Sequence, residues 1–185
     1  MSRLVFLLEE PSMKAFLDEF LPRLLPGLDF LCVKHEGKQD LERSIPRKLR
    51  GWREPGVRFA VVRDNDGADC QGVKARLLTL CQQGGRRDTL VRIACQHLEA
   101  WHLGAMDVLA IAYSRPALSK IGRKSKYSNP DALRNAAQEL NRLVPEFRKV
   151  DGARRMGKIM PTQGNANRSR SFQVFVEGLR RHMGS

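Results

Sequence analysis

The feature that most constrains this chain is an alternation, repeated through residues 1–114, of short apolar runs with segments of helical periodicity. Leu4 to Leu8 runs into Glu9-Glu10-Pro11-Ser12, after which Phe16, Phe20, Leu21, Leu24 and Leu25 recur at helical spacing, which predicts strand, turn and helix. Asp29 to Val33 is a second apolar run, and Leu41, Ile45 and Leu49 at steps of four follow Gly37-Lys38-Gln39-Asp40. Val57 to Val62 predicts a third strand, with a polar turn over Asp64 to Asp69 and a third helix carrying Val73, Leu77, Leu78 and Leu80. Leu90 to Cys95 predicts a fourth, followed by an apolar helix from about Leu98 to Tyr113. Strands and helices in strict alternation call for an α/β fold, a mainly parallel sheet flanked by helices on both faces.

Beyond Ser114 the pattern changes. No strand-like run follows; Arg115 to Pro130 is rich in Lys, Ser and Gly, Asp131 to Val144 has helical periodicity, and Ser171 to His182 reads as a final amphipathic helix. The expected organisation is an α/β domain over residues 1–114 and a helical basic extension over 115–185 packed on it as one unit, with the loop from Met160 to Arg170 as its mobile segment. Charge follows the same division. Residues 1–114 hold 17 basic and 15 acidic side chains, residues 115–185 hold 16 and 5, and the whole chain carries +13. A surplus of that size suits a polyanionic partner, nucleic acid first. Neither a membrane span of about 18 apolar residues nor a secretory leader is present, so a cytoplasmic protein is expected. Cys32, Cys70, Cys81 and Cys95 lack metal-ligand spacing and are expected as reduced packing residues.

In an open parallel sheet, ligands sit beyond the carboxyl ends of the strands, and here three of the four ends are acidic. Glu9 and Glu10 follow the first strand, Asp64-Asn65-Asp66-Gly67-Ala68-Asp69 the third, and Glu99 lies just past the fourth. If the first and third strands are neighbours, Glu9, Asp64 and Asp66 converge, and crowded carboxylates select a hard cation such as Mg²⁺ or Mn²⁺. D-x-D by itself serves turn chemistry equally well. Gly67 falls too early for a calcium EF-hand, and Ala68 stands where a D-x-D-x-T phosphatase needs threonine.

Glu after a first strand and D-x-D after a third resemble the marks of Toprim domains. Leu8-Glu9-Glu10-Pro11-Ser12, Arg63-Asp64-Asn65-Asp66, Arg92-Ile93-Ala94-Cys95, Leu98-Glu99-Ala100-Trp101, Asn129-Pro130-Asp131 and Ser169-Arg170-Ser171-Phe172 resemble, in order, the blocks of the Toprim-like domain-of-unknown-function family 4276. That resemblance implies a metal-dependent, nuclease-like fold, often encoded beside an ABC-type ATPase and suspected in antiphage defence. The chain departs from the family pattern at Glu10 for a glycine, at Met13 for a second acid, at His97 for a Glu, and at Ala105 for an Asp.

The expected function is a metal-dependent nuclease in which Glu9, Asp64, Asp66 and Asp69 ligate Mg²⁺ or Mn²⁺, while Glu99 completes a second site or acts as base. Lys38, at a helix start, and Lys120, Arg123, Lys124 and Lys126 would contact the phosphate backbone, with Arg115 beside them and Tyr113 and Tyr127 as stacking partners. One alternative is a catalytically weak module that binds nucleic acid or an ABC-type ATPase, in which Glu99 pairs with Arg63 or Arg92. Another is a small-molecule phosphohydrolase. His97 and His102, five apart, are expected to pack or hydrogen-bond rather than to ligate, and Trp101 to lie in the core.

Overall fold

The computed structural model describes residues 3–184. Four strands, β1 (Leu4–Leu8), β2 (Phe30–Lys34), β3 (Arg58–Asp64) and β4 (Leu90–Ala94), form one sheet in the order β2-β1-β3-β4. Every pairing is parallel, with Leu8 beside Lys34 and Val62, and Asp64 beside Ala94. The sheet is the one that the alternation predicts. β1 is followed by α1 (Pro11–Leu24), β2 by α2 (Lys38–Gly51) and β3 by α3 (Cys70–Gln83). The chain leaves β1 toward one side and returns past it to add β3 on the other, so β1 and β3 bound the point where crossovers diverge and a crevice opens.

Each face has its own core. Val5, Leu7, Val61, Val91 and Ile93 meet Leu41, Ile45 and Leu49 of α2 and Leu77 of α3. The opposite face is larger and joins both parts of the sequence. There Leu4, Phe6 and Leu8 pack under Phe16, Phe20, Trp101, Met156, Phe172 and Phe175, all fully buried.

The apolar segment after β4 is two helices, α4 (Leu98–Leu103) and α5 (Met106–Ala112), where continuous periodicity predicts one. The chain leaves helical geometry at Ala105 (φ −125°, ψ 58°), directly after the tightly packed Gly104. A Cβ on Gly104 would lie 2.0 Å from the side-chain oxygen of Asn167 and 2.9 Å from the Ser169 amide, and the Gly104 carbonyl accepts from Arg168. The break lets the C-terminal segment dock. That docking also corrects the expectation of a mobile loop over residues 160–170. Asn167 is fully buried, donating to the Trp101 carbonyl at 2.8 Å and accepting from the Ser169 amide at 2.8 Å.

The remaining helices are α6 (Ala117–Ile121), α7 (Ala136–Leu143), α8 (Lys149–Ile159) and α9 (Arg170–Met183). Helix α8, which periodicity does not predict, lies against α1 so closely that a Cβ on Gly157 would come within 2.5 Å of the Phe16 carbonyl. Backbone cannot yield there as a flexible side chain can. Gly157→Ala should therefore destabilise the protein by about 1–3 kcal/mol, the usual scale of overpacking; an unchanged denaturant midpoint would show that α1 and α8 are not so closely seated.

Candidate metal centre

The acidic residues emerge where sheet geometry sends them. Glu9 is the first residue past β1, Asp64 the last of β3, and His97 lies just past β4. Asp66 takes φ 49°, a left-handed conformation that Asp tolerates better than most residues. Gly67 follows at φ 78°, so the chain turns back over the strand ends. The Asp66 amide donates to the Gln96 carbonyl at 3.2 Å, Asn65 accepts from the Gln96 amide, and Gln96 itself is held at φ 65°. Two loops are thereby pinned to each other. Left-handed backbone at a residue such as Gln96 costs of order 1 kcal/mol or more and persists only where surroundings impose it.

Pinning the loops gathers Asp64, Asp66 and His97, whose ligand atoms all lie within 4.8 Å of one another. His97 Nδ1 is 3.4 Å from Asp66 and 3.7 Å from Asp64. His97 thus lies among the candidate ligands, where a packing or hydrogen-bonding residue is expected. Its neighbour in that expectation, His102, does pack: it is buried between Phe16 and Phe147, and burial holds its imidazole neutral, down to about 3. Glu9 adjoins the cluster in a cleft lined by Glu10, Ser12, Arg63, Asp64 and Leu98. Arg63 lies 2.8 Å from Glu42, and its Nε is 3.6 Å from the buried Oε2 of Glu9, close enough to pair in charge but too far for a hydrogen bond.

Electrostatics record the crowding. Burial pushes the Glu9 carboxyl up to about 7; Arg63 opposes the rise, and Asp64, Asp66 and Glu10 add to it. Burial likewise lifts Asp64 to about 6, with His97 pulling down and Glu10 and Glu99 pushing up. Asp64 is the main cause that raises the His97 imidazole. Lys149, at the start of α8, pairs with Glu10 at 2.5 Å and feels Glu99 and Asp64, a cation that spacing along the chain does not reveal. An acidic cluster with a donorless buried oxygen and a ligand triad fits a hard divalent cation, which would satisfy those oxygens in place of protons.

The other expected site residues lie partly at this edge and partly away from it. Asp69 caps α3, accepting from the Gly72 amide at 2.7 Å. Glu99 is buried in the first turn of α4 and pairs with neither Arg63 nor Arg92, because Arg63 is engaged by Glu9 and Glu42 while Arg92 donates to the Val174 and Val91 carbonyls. It acts instead on Asp64, His97 and Lys149. Lys38 is exposed at the first position of α2. In the basic stretch, Lys120, Arg123 and Lys124 are exposed, whereas Arg115 forms a bidentate pair with Glu146 and Lys126 lies 2.8 Å from Glu139. Tyr127 is buried and donates to Glu139, and the Arg155 guanidinium covers Tyr113 at 4.7 Å. Neither tyrosine offers an open face for stacking.

Residues far apart in sequence meet behind the site. Asp131 accepts from the Ser169 hydroxyl at 2.6 Å and the Ser171 amide at 2.7 Å, and Ser171 Oγ accepts from Trp101 Nε1 at 2.9 Å. The same hydroxyl accepts from the Cys95 amide at 3.2 Å, which anchors the end of β4.

Taken with the sheet order, this arrangement defines an α/β domain with a four-stranded parallel sheet and an acidic edge. The fold is similar to that of the C-terminal region of the OLD protein of Xanthomonas campestris pv. campestris, at TM-score 0.53 and 14% identity over 100% of this chain and 97% of that one. It is equally similar to the C-terminal region of the Burkholderia pseudomallei OLD protein, at TM-score 0.53 and 16% identity over 98% of each chain. No curated protein matches. Residues 8–180 match the family described as Domain of unknown function (DUF4276), and the chain belongs to that family.

The raised carboxyl of Glu9 yields a pH prediction. A carboxyl raised from 4.5 to about 7 on folding binds more protons in the native than in the unfolded state, so stability falls as pH rises across that interval. Glu9→Gln should remove this fall, melting above the wild type near pH 8 and level with it near pH 4, and should lose part of the wild-type melting upshift in Mn²⁺. A variant that melts below the wild type at both pH values would mean that Glu9 is well compensated by Arg63 alone.

Proposed function

We propose that the chain is a metal-dependent nuclease module that hydrolyses nucleic-acid phosphodiesters at the edge of its parallel sheet. The observation that carries this reading is the convergence of buried Asp64, half-buried His97 and exposed Asp66 beside buried Glu9. Asp64, Asp66 and His97 would hold the cation, with Glu9 turned to it from the Arg63 side. A divalent cation at such a site supplies Lewis acidity toward a phosphoryl oxygen and lowers the pKa of water. A mixed carboxylate and imidazole set favours Mn²⁺ over Mg²⁺, because Mg²⁺ is bound by oxygen alone far more readily. Glu99, buried next to His97 and Asp64, would take a proton from water or extend the cation site.

Lys149 and Arg63 are the cations that touch this acidic point. Lys149 would meet a phosphate beside Glu10, and Lys120, Arg123 and Lys124 would contact the strand farther along, positioning it without reading sequence. Lys38 would serve at the β2 side, and Lys126 only by leaving Glu139. The OLD-type fold accords with a nucleic-acid substrate, and an ABC-type ATPase partner in antiphage defence belongs to the same proposal. The cleft at Glu9 has a volume of only about 10 Å³, far below the ~300–1,000 Å³ of pockets that bury a small ligand, which speaks against a small-molecule phosphohydrolase. The weak-module alternative draws on the Lys149–Glu10 and Arg63–Glu9 pairs, which supply internal cations at the site.

Asp64→Asn and His97→Ala should each lower Mn²⁺-dependent cleavage of plasmid DNA or tRNA by ~10²-fold or more, the scale of losing a positioned polar group. Wild-type protein that binds nucleic acid but cleaves neither substrate in Mn²⁺ or Mg²⁺ would favour the module. Separately, replacing Lys120, Arg123 and Lys124 with alanine should flatten the dependence of log affinity on log salt by about 0.7–0.9 per lost phosphate contact. An unaltered slope would place the binding face elsewhere.

A further inference from the structure

The four cysteines are not equivalent. Cys32 and Cys81 are buried in the cores on opposite faces of the sheet. Cys70 and Cys95 are each half-buried, and their Sγ atoms lie 2.9 Å apart. No part of the sequence reading anticipates this pairing, since 25 residues separate the two. Both sulfurs line an open groove between α3, β4 and α9, together with Gln71, Lys74 and Arg170. A small solute therefore has a route to them. Cys70 is the first residue of α3, directly after the Asp69 cap, and Cys95 is the first residue beyond β4. Each is at the root of one of the two loops that carry the acidic site.

We propose that Cys70 and Cys95 are a reversible redox-modification site, closed to a disulfide by a peroxide and reopened by a thiol reductant. Thiols held this near each other need little movement to reach the ~2.05 Å of a sulfur–sulfur bond. In the first step one sulfur attacks a peroxide oxygen; the O–O bond breaks, a sulfenic acid forms, and the released oxygen leaves as water with the thiol proton. The second sulfur then attacks the first; the S–O bond breaks, the S–S bond forms, and another water departs. The two thiols together lose two electrons and the peroxide gains them. Reduction proceeds through a mixed disulfide with the incoming thiol. The bond would clip the root of the Asp64–Asp69 turn to the segment leading to His97, adding a covalent tie to the hydrogen bonds from Asn65 and Gln96.

The proposal is independent of the nuclease reading and is tested without an activity assay. Reduced full-length protein is treated with hydrogen peroxide, alkylated without reductant and digested with trypsin. The tryptic peptides spanning residues 64–74 and 93–120 should be joined, and titratable thiols should fall from four to two. Dithiothreitol should restore all four. Cys32 and Cys81 should remain alkylated throughout, and Cys95→Ser should give no joined peptide and carry Cys70 to a sulfenic or higher oxide. Four titratable thiols after treatment, or Cys70 oxidised while Cys95 is still alkylated, would overturn the proposal.

Discussion

The parallel pairing of β1 with β3 is the constraint on which the site depends. In that register Leu8 is opposite Val62, so Glu9 leaves the sheet next to the last residues of β3, and Asp64 in turn is opposite Ala94 of β4. Three adjacent strand ends thus deliver Glu9, Asp64 and the His97 segment to one edge, at the point where the crossovers part. The pairing is secured by cores on both faces, and a substantial share of one core comes from the C-terminal helices. Helix α9 packs on β4, and Ser171 in its first turn fixes the Cys95 amide. The C-terminal segment therefore supports the geometry of the acidic edge as well as carrying most of the charge.

Burial gives that edge its chemistry. Glu9, Asp64 and Glu99 are 6–7% exposed, and Glu10 and Asp66 stand beside them. Against these five acids the nearby cations are Arg63, which Glu42 shares, Lys149 and, when protonated, His97. Burial is what chiefly drives Glu9 and Asp64 upward, and the neighbouring acids add to it. Protons can relieve the crowding at low pH; a divalent cation can do so at neutral pH, and two carboxylates with an imidazole within ligand reach provide for one. Around this negative point the protein carries a net +13. A polyanion is drawn to the surface in general, whereas a metal ion is drawn to the edge in particular.

Much of this was legible before the fold was known. Short apolar runs and period-3.6 patterns placed the four strands and first three helices to within a few residues, because strands covered on both faces are apolar throughout and each helix records its one buried face. The acids at the strand ends followed from topology alone. What stayed hidden depends on contacts across long stretches of chain. Nothing in the apolar run around Gly104 shows that Asn167 will press against it, and Val150, Ala153 and Met156 are too few among basic residues for periodicity to reveal α8. Asp69 could not be told from a ligand, since a cap and a metal site use the same carboxylate. Arg115 and Lys126 looked available because Glu146 and Glu139 are distant in sequence. His97 was weighed with His102 by helical spacing; the better signal was its place directly before Leu98-Glu99-Ala100-Trp101, where an imidazole can stand in for an acid as a ligand.

The central claim is that the β1, β3 and β4 ends form one cation site. Crystals grown with Mn²⁺ and measured at a wavelength where manganese scatters anomalously test it most directly. A site at these strand ends gives a dominant anomalous peak within bonding distance of the Asp64 and Asp66 carboxylates and the His97 imidazole, with Glu9 drawn toward it from Arg63. Strong peaks only at other acidic positions, with Asp64, Asp66 and His97 still bonded to one another around no ion, would contradict it.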